Sequence, residues 1–343
     1  MRAVVYSELG ASSVLGLAER DLPTPHWGQV RVRLAVAGVN PTDWKSRAGA
    51  TAAEMPAPEV VPGQDGAGVV DEVGNGVYNV KAGDRVWVFL AQHERPYGTA
   101  ADYVVVPAER AVRLPSGTSY DVGASLGVPA MTAHRCLTVH EDGPSRLAPG
   151  ALEGRIVLVT GGAGAVGHAA IQLATWAGAT VVTTVSSAEK AALAQAAGAH
   201  HVVNYREGDA AAEIRGLAPD GVDLAVDVAI IQNTDLVARV LKPRGVVTSY
   251  ANTGGTEVTL PVRMFMMLNA RFQFVLLYTV GEDALQAAAE DVSAALEDGA
   301  LEVGEEHGLP LLRYPLEETA AAHDAVENGA VGKVLIDIAD VDH

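Results

Sequence analysis

Arg155-Ile156-Val157-Leu158-Val159-Thr160-Gly161-Gly162-Ala163-Gly164-Ala165-Val166-Gly167 is a short apolar run that breaks into a glycine-rich turn. The run reads as a buried strand, and Val166 to Ala177 read as the helix that follows it. Between them stands the spacing Gly162-x-Gly164-x-x-Gly167. The first glycine permits a tight turn, the second lets backbone approach a pyrophosphate, and the third lets the helix pack closely on the strand. The helix N-terminus adds unpaired N–H donors and partial positive charge. Strand, spacing and helix together predict that Gly162, Ala163, Gly164, Ala165, Val166 and Gly167 cradle a dinucleotide.

Downstream, strands and helices alternate. Thr180 to Val185 reads as a strand and Glu189 to Ala197 as a helix; Val202-Val203, Val222 to Val228 and Gly245 to Tyr250 read as further strands. Such alternation predicts a doubly wound parallel sheet with helices on both faces, an α/β Rossmann domain over 126–295. Upstream, residues 1–125 read differently. Gln29 to Val36 and Asp84 to Leu90 are strand-like, and glycine and proline punctuate the whole stretch. This is a β-rich domain. After the helix Asp283 to Glu297, residues 296–343 return to it, with a helix expected over Pro315 to Glu327 and a last strand over Lys333 to Ile338.

The end of the second parallel strand bears on which dinucleotide binds. An NAD site usually carries Asp or Glu there for the ribose 2′-hydroxyl. Here Val185 is followed by Ser186, Ser187 and, one turn on, Lys190. Hydroxyls and an ammonium suit a 2′-phosphate, with Glu189 the one discordant charge. Tyr205 and Arg206, after the next strand, can reach the same group. The expected cofactor is NADPH.

Bulk properties narrow the partners. The chain has 343 residues, 49% of them hydrophobic, and a formal charge of -18. Acidity of that size argues against nucleic acid, whose phosphates need a basic surface. No apolar run approaches the length of a membrane span, and the first residues lack a signal peptide, so a cytoplasmic protein is expected. The single cysteine, Cys136, can form no internal disulfide and reads as buried packing. His134 and His168 read as packing or helix-start residues, and His200-His201 as structural. No Gly-x-Ser-x-Gly setting supports a hydrolase.

Several stretches taken in order resemble one family. They are Gly38-Val39-Asn40-Pro41-Thr42-Asp43, Pro62-Gly63-Gln64-Asp65-Gly66-Ala67-Gly68, Lys81 to Val86, Gly127 to Ala133, the glycine turn, Gly198-Ala199, Asn204-Tyr205-Arg206 and Gly332-Lys333. The chain resembles the zeta-crystallin-like quinone oxidoreductases, a zinc-free branch of the medium-chain dehydrogenase/reductase family. The resemblance implies a GroES-like catalytic domain, a Rossmann domain, a cofactor in the cleft between them, and a homodimer built through the Rossmann sheets. Zinc-dependent relatives carry Cys near Asn40 and a His-Glu pair where this chain has Gln64-Asp65, so no metal is expected.

The resemblance further implies Asn40 beside the nicotinamide and substrate, and Thr132 at the nicotinamide end. Backbone around Tyr250, Ala251 and Asn252, and around Phe274, Val275 and Leu276, would frame the ring. Ser186, Lys190 and Tyr205 match 2′-phosphate positions, and Lys333 is counted with the cofactor-binding residues. One departure is Lys45, where many quinone reductases of this type carry Tyr; a Lys there looks more like the enone- and alkenal-reducing relatives.

Without a metal, such an enzyme must align a hydride donor with an electron-poor carbon and stabilise charge on the substrate oxygen. Asn40 and Lys45 are the candidates for that charge, with Asp43 orienting Lys45. The expected substrate is a quinone, the alternative an α,β-unsaturated ketone or aldehyde. A non-catalytic NADPH-binding sensor or structural protein is the reading from another class. The loops Ser46 to Pro58 and Ala91 to Tyr97 carry no decisive signature.

Overall fold

Valine-rich runs in the second half build six parallel strands. The computed structural model describes residues 1–50 and 54–341; residues 51–53 of the Ser46 to Pro58 loop lie outside the described residues. Across the sheet the strands are His201–Asn204, Thr180–Val185, Ile156–Thr160, Val222–Asp227, Leu241–Ser249 and Arg271–Phe274. Every neighbouring pair is parallel. In chain order that is 3-2-1-4-5-6, the doubly wound Rossmann arrangement. Leu158, Val182, Ala225 and Val247 are buried under helices such as Ala210–Leu217 and Ile230–Val240, which supply Ile214 and Val237.

A seven-stranded sheet in the rest of the chain is mostly antiparallel and GroES-like. Its long strand Gln29–Val39 pairs with Asp65–Val73, with Tyr103–Pro107 and with Lys333–Asp337. Val30, Val32 and Leu34 turn inward to meet Val86, Val88, Val104 and Ile336. Chain contacts divide the molecule into two compact units, Met1–Val128 with Leu311–His343, and Pro129–Pro310. The C-terminal residues thus form part of the first unit's sheet, and 296–310 stay with the second.

The expected helix over Pro315 to Glu327 is shorter. Pro315 ends a strand, Leu311–Pro315, parallel to Lys333–Asp337, and the α-helix runs Thr319–Glu327. That strand closes one edge of the sheet, a place where proline is tolerated. Among the described residues no helix is long and apolar enough to cross a membrane.

Within the second unit, a buried ion cluster ties helix Glu282–Glu297 down. Asp291 accepts from His134 Nε2 at 2.7 Å, from Arg146 Nε at 2.8 Å and from the Leu147 N–H at 2.7 Å. His134 is therefore a packing residue, 2% exposed. Burial pushes the Asp291 carboxyl up, but the bonds from His134, Arg146 and Leu147 outweigh it and hold it down at about 2. A depressed carboxyl stabilises the fold above its unfolded value and loses that contribution as pH falls through the folded one. Asp291→Asn is expected to lower stability by about 2 kcal/mol at pH 7, roughly 4–8 °C in Tm. The gap between the two melting curves should close as pH falls from about 5 toward 2; a pH-independent gap would contradict this origin.

Candidate active site

The six parallel strands end along one edge, and in open α/β sheets ligands bind outside the carboxyl ends of the strands. Ile156–Thr160 runs into the glycine turn, and Ala165–Trp176 is the helix it opens. A Cβ on Gly162 would lie 2.2 Å from Thr183 Oγ1, and one on Gly167 would lie 2.4 Å from Gly161 O, so neither position admits a side chain as folded. Gly164 is the exposed one: it caps the helix without any side-chain hydrogen bond. The helix N-terminus is thus bare backbone, with donors left for an anion. These features fit a dinucleotide pyrophosphate.

The neighbouring strand ends complete this edge. Thr180–Val185 delivers Ser186 and Ser187, and Ser187 Oγ caps helix Ala188–Ala196 by accepting the Lys190 N–H at 3.3 Å. Tyr205, half exposed, follows Asn204 and donates its N–H to Val185 O at 3.0 Å. Tyr250 and Ala251 follow Ser249, while Val275 and Leu276 follow Phe274, with the Val275 N–H on Ser249 O at 2.8 Å. The structure therefore brings nearly all the expected cofactor residues to one edge of one sheet. Thr132, 5% exposed, belongs to the same unit.

Asp227 had no expected role at this edge. It sits at the end of the fourth parallel strand, where Thr160 Oγ1 donates to it at 2.9 Å and Asn233 Nδ2 at 2.8 Å. The Ala229 N–H also donates to it, at 2.7 Å. Strands one and four flank the point where the strand order reverses, so Asp227 fixes the backbone on both sides of that switch point. His168 is buried, bonds His307 O at 2.8 Å, and is pushed down to about 4 by burial. Cys136 is fully buried and its thiol pushed up to about 12 by burial, as packing requires.

The first unit holds a second constellation. Asn40 precedes the short helix Pro41–Arg47, and its N–H donates to the Asp43 carboxylate at 2.7 Å. The Asn40 side chain turns elsewhere. Its Nδ2 donates to Asp65 Oδ2 at 2.6 Å, and its Oδ1 accepts from Lys333 Nζ at 2.8 Å. Lys333 Nζ also donates to Val39 O at 3.3 Å and lies 3.9 Å from Asp65. Both Asp65 oxygens accept the Val128 N–H at 3.0 Å. Burial pushes Asp65 up to about 6, and burial likewise raises Asp43 and lowers Lys333.

Two expectations change here. Lys333, read as a cofactor contact, is 1% exposed and spends its donors on Val39 and Asn40. Asp43, read as orienting Lys45, is 2% exposed and braces Asn40 instead. Lys45 is half-buried, its ammonium 5.9 Å from the Trp44 ring centroid. Asp65 was passed over in the sequence except as a residue unlike a zinc ligand. Gly127, where a Cβ would lie 2.0 Å from Asp65 Oδ1, carried the available signal.

Comparison with known proteins places this geometry. Residues 26–116 match the family described as alcohol dehydrogenase GroES-like domain, and 165–294 match zinc-binding dehydrogenase. The donor set does not fit zinc: Asn40 and Gln64 offer amides, Asp65 is already taken by Asn40 and Val128, and an ammonium lies beside it. Among the described residues no group of three His, Cys, Asp or Glu could hold a metal. The chain is 31% identical to a quinone oxidoreductase of Rattus norvegicus, covering 98% of this chain and 97% of the relative. It is 32% identical to a 2-haloacrylate reductase of a Burkholderia species, covering 94% of each. Among solved structures, an NAD-dependent alcohol dehydrogenase superposes with TM-score 0.86 at 28% identity, covering 99% and 100%. The Escherichia coli quinone oxidoreductase complexed with NADPH does so with TM-score 0.79 at 25% identity, covering 98% and 99%. The chain is an oxidoreductase and belongs to the medium-chain dehydrogenase/reductase family, with quinone oxidoreductases among its full-length relatives.

Proposed function

We propose that the protein is a zinc-independent, NADPH-dependent reductase that transfers a hydride to a quinone. The observation that carries the cofactor choice is the acid-free end of strand Thr180–Val185, where Ser186 and Lys190 stand in place of a carboxylate. The quinone rests on the full-length similarity to quinone oxidoreductases. A second reading, reduction of an activated C=C bond, is favoured by the 2-haloacrylate reductase similarity and by Lys45. Both use one geometry.

When bound, NADPH supplies the hydride. The glycine turn holds the pyrophosphate by backbone N–H groups, and Ser186, Ser187, Lys190 and Tyr205 surround the 2′-phosphate. Thr132 and the backbone at Tyr250, Ala251, Phe274, Val275 and Leu276 orient the nicotinamide. Asn40 and Lys45, both in the first unit, would serve the substrate, where Lys45 would stabilise the oxygen that gains charge and lend it a proton. An exposed edge also supports a homodimer. Strand Arg271–Phe274 has no sheet neighbour on its outer side among the described residues. Met266, Met267 and Phe274 around it are 75%, 74% and 60% exposed. A second copy would cover such an edge.

A substrate panel tests the function: quinones, enones, enals and simple aldehydes, each with NADPH and NADH. NADPH oxidation by quinones above all others is expected; preference for activated alkenes would select the second reading, and preference for NADH would reject the cofactor assignment. Lys190→Ala should weaken NADPH about tenfold, one charge-assisted contact, and leave NADH nearly unchanged. Lys45→Ala should lower turnover at least roughly tenfold with NADPH affinity kept. For the assembly, wild type should elute near twice its 35.5 kDa mass, and Met266→Asp with Met267→Asp should halve it; a wild-type monomer would end the dimer reading.

A further inference from the structure

An asparagine amide can sit in either of two orientations, and only its neighbours decide which end carries the oxygen. At Asn40 both ends meet a charge. Lys333 Nζ donates to Oδ1 at 2.8 Å, and Asp65 Oδ2 accepts from Nδ2 at 2.6 Å. A half-turn of the amide would set its oxygen against the carboxylate and its NH2 against the ammonium. Two charge-assisted hydrogen bonds would become two repulsive contacts.

The two charges cannot drift to accommodate a turned amide. Asp65 is 0% exposed and bound by the Val128 N–H through both oxygens. Lys333 is 1% exposed, leads the strand that pairs with Gln29–Val39, and is held to Val39 O. Two glycines leave room for them. A Cβ on Gly38 would lie 2.0 Å from Ala124 O and 3.1 Å from Lys333 Nζ, and one on Gly127 would lie 2.0 Å from Asp65 Oδ1.

We propose that Lys333 and Asp65 are positioning residues: between them they lock the Asn40 amide in one orientation and so fix the direction in which it presents its remaining N–H to the reacting groups. This rests on Asn40 serving the reaction, as proposed above. One N–H of Nδ2 goes to Asp65, which leaves one for a further acceptor. The ammonium on Oδ1 draws density from the amide while the carboxylate on Nδ2 returns some, so what the pair sets is the direction of the remaining N–H. A buried cation would then act on the reacting groups through a neutral side chain and without touching them.

The test is a double-mutant cycle on the full chain with Asn40→Ala, Lys333→Met and both together. Lys333→Met is expected to lower kcat about tenfold or more, and to move the NADPH dissociation constant, read by fluorescence titration, by less than about threefold. The emission of bound reduced nicotinamide should change as it does in Asn40→Ala. The double variant should be no slower than Asn40→Ala alone. Lys333→Gln keeps a donor for Oδ1 and should recover part of the rate. Losses that multiply in the double variant, with Asn40→Ala itself impaired, overturn this proposal and leave the site reading intact. Wild-type turnover in Lys333→Met overturns it too. Wild-type turnover in Asn40→Ala removes Asn40 from the site and takes both readings down. If Lys333→Met does not fold, Asp65→Asn replaces it in the cycle, with the same non-additive result expected and a multiplying loss again decisive against.

Discussion

An ammonium buried to 1% exposure can be held only by partners brought to it, and Lys333 has three: Val39 O, Asn40 Oδ1 and, at 3.9 Å, Asp65. Removing one partner of such a group would leave an uncompensated charge, at a cost of about 3–5 kcal/mol. Those partners come from strand Gln29–Val39, from the residue that follows it, and from the start of strand Asp65–Val73. The lysine itself comes from the last strand of the chain. The register that sets Val334 opposite Val39 is therefore also the register that sets Lys333 beside Asn40. A one-residue slip would turn Lys333 to the other face of the sheet.

The second unit solves the opposite problem. It must offer positive potential to an anion without burying a cation there, and it does so with backbone. Gly162 and Gly167 are tight because Thr183 and Gly161 press on them, whereas Gly164 is exposed and a Cβ there would meet only Gly161 O, at an ordinary 3.4 Å. Close packing at two positions leaves the third bare. Asp227 holds the other side of the switch point by accepting from Thr160, Ala229 and Asn233, so the turn is braced from the adjoining strand. The carboxylate serves the fold there and leaves the helix N-terminus uncapped.

Much of this was legible in the sequence, because it is local. Strand, glycine spacing and helix between Arg155 and Ala177 lie within one stretch, and their reading gave the Rossmann sheet. The residues expected to meet the cofactor follow strand ends, so finding the strands placed them along one sheet edge. What escaped depends on pairings far apart in sequence. Lys333 and Asn40 are 293 residues apart, and Asp65 and Val128 are 63 apart. Nothing beside Lys333 marks it as buried, since a lysine at a strand start is ordinarily solvated. Asp43 was paired with Lys45 by proximity in sequence, but on the helix they stand two residues apart, and such residues do not face each other. The helix expected from Pro315 begins only at Thr319, because Pro315 takes the last position of an edge strand, a place that suits proline.

The charge balance of the first constellation bears on the chemistry. Two carboxyls and one ammonium share a site from which water is excluded. Burial raises Asp43 and Asp65 and lowers Lys333, so every one of the three is pushed toward its neutral form. Their mutual attraction opposes that push, and each group's charge depends on the others. A zinc ion placed among them would meet an ammonium in place of a third anionic or nitrogen ligand. Under the proposed zinc-independent reading, the arrangement sets a lysine behind an amide where zinc would act as a Lewis acid. Hydride transfer to a carbon conjugated with a carbonyl needs stabilisation of a diffuse oxyanion, for which an oriented hydrogen-bond donor in a dry site serves well. Under the proposed reading Asn40 is that donor, and the same buried contacts that attach the final strand orient its amide.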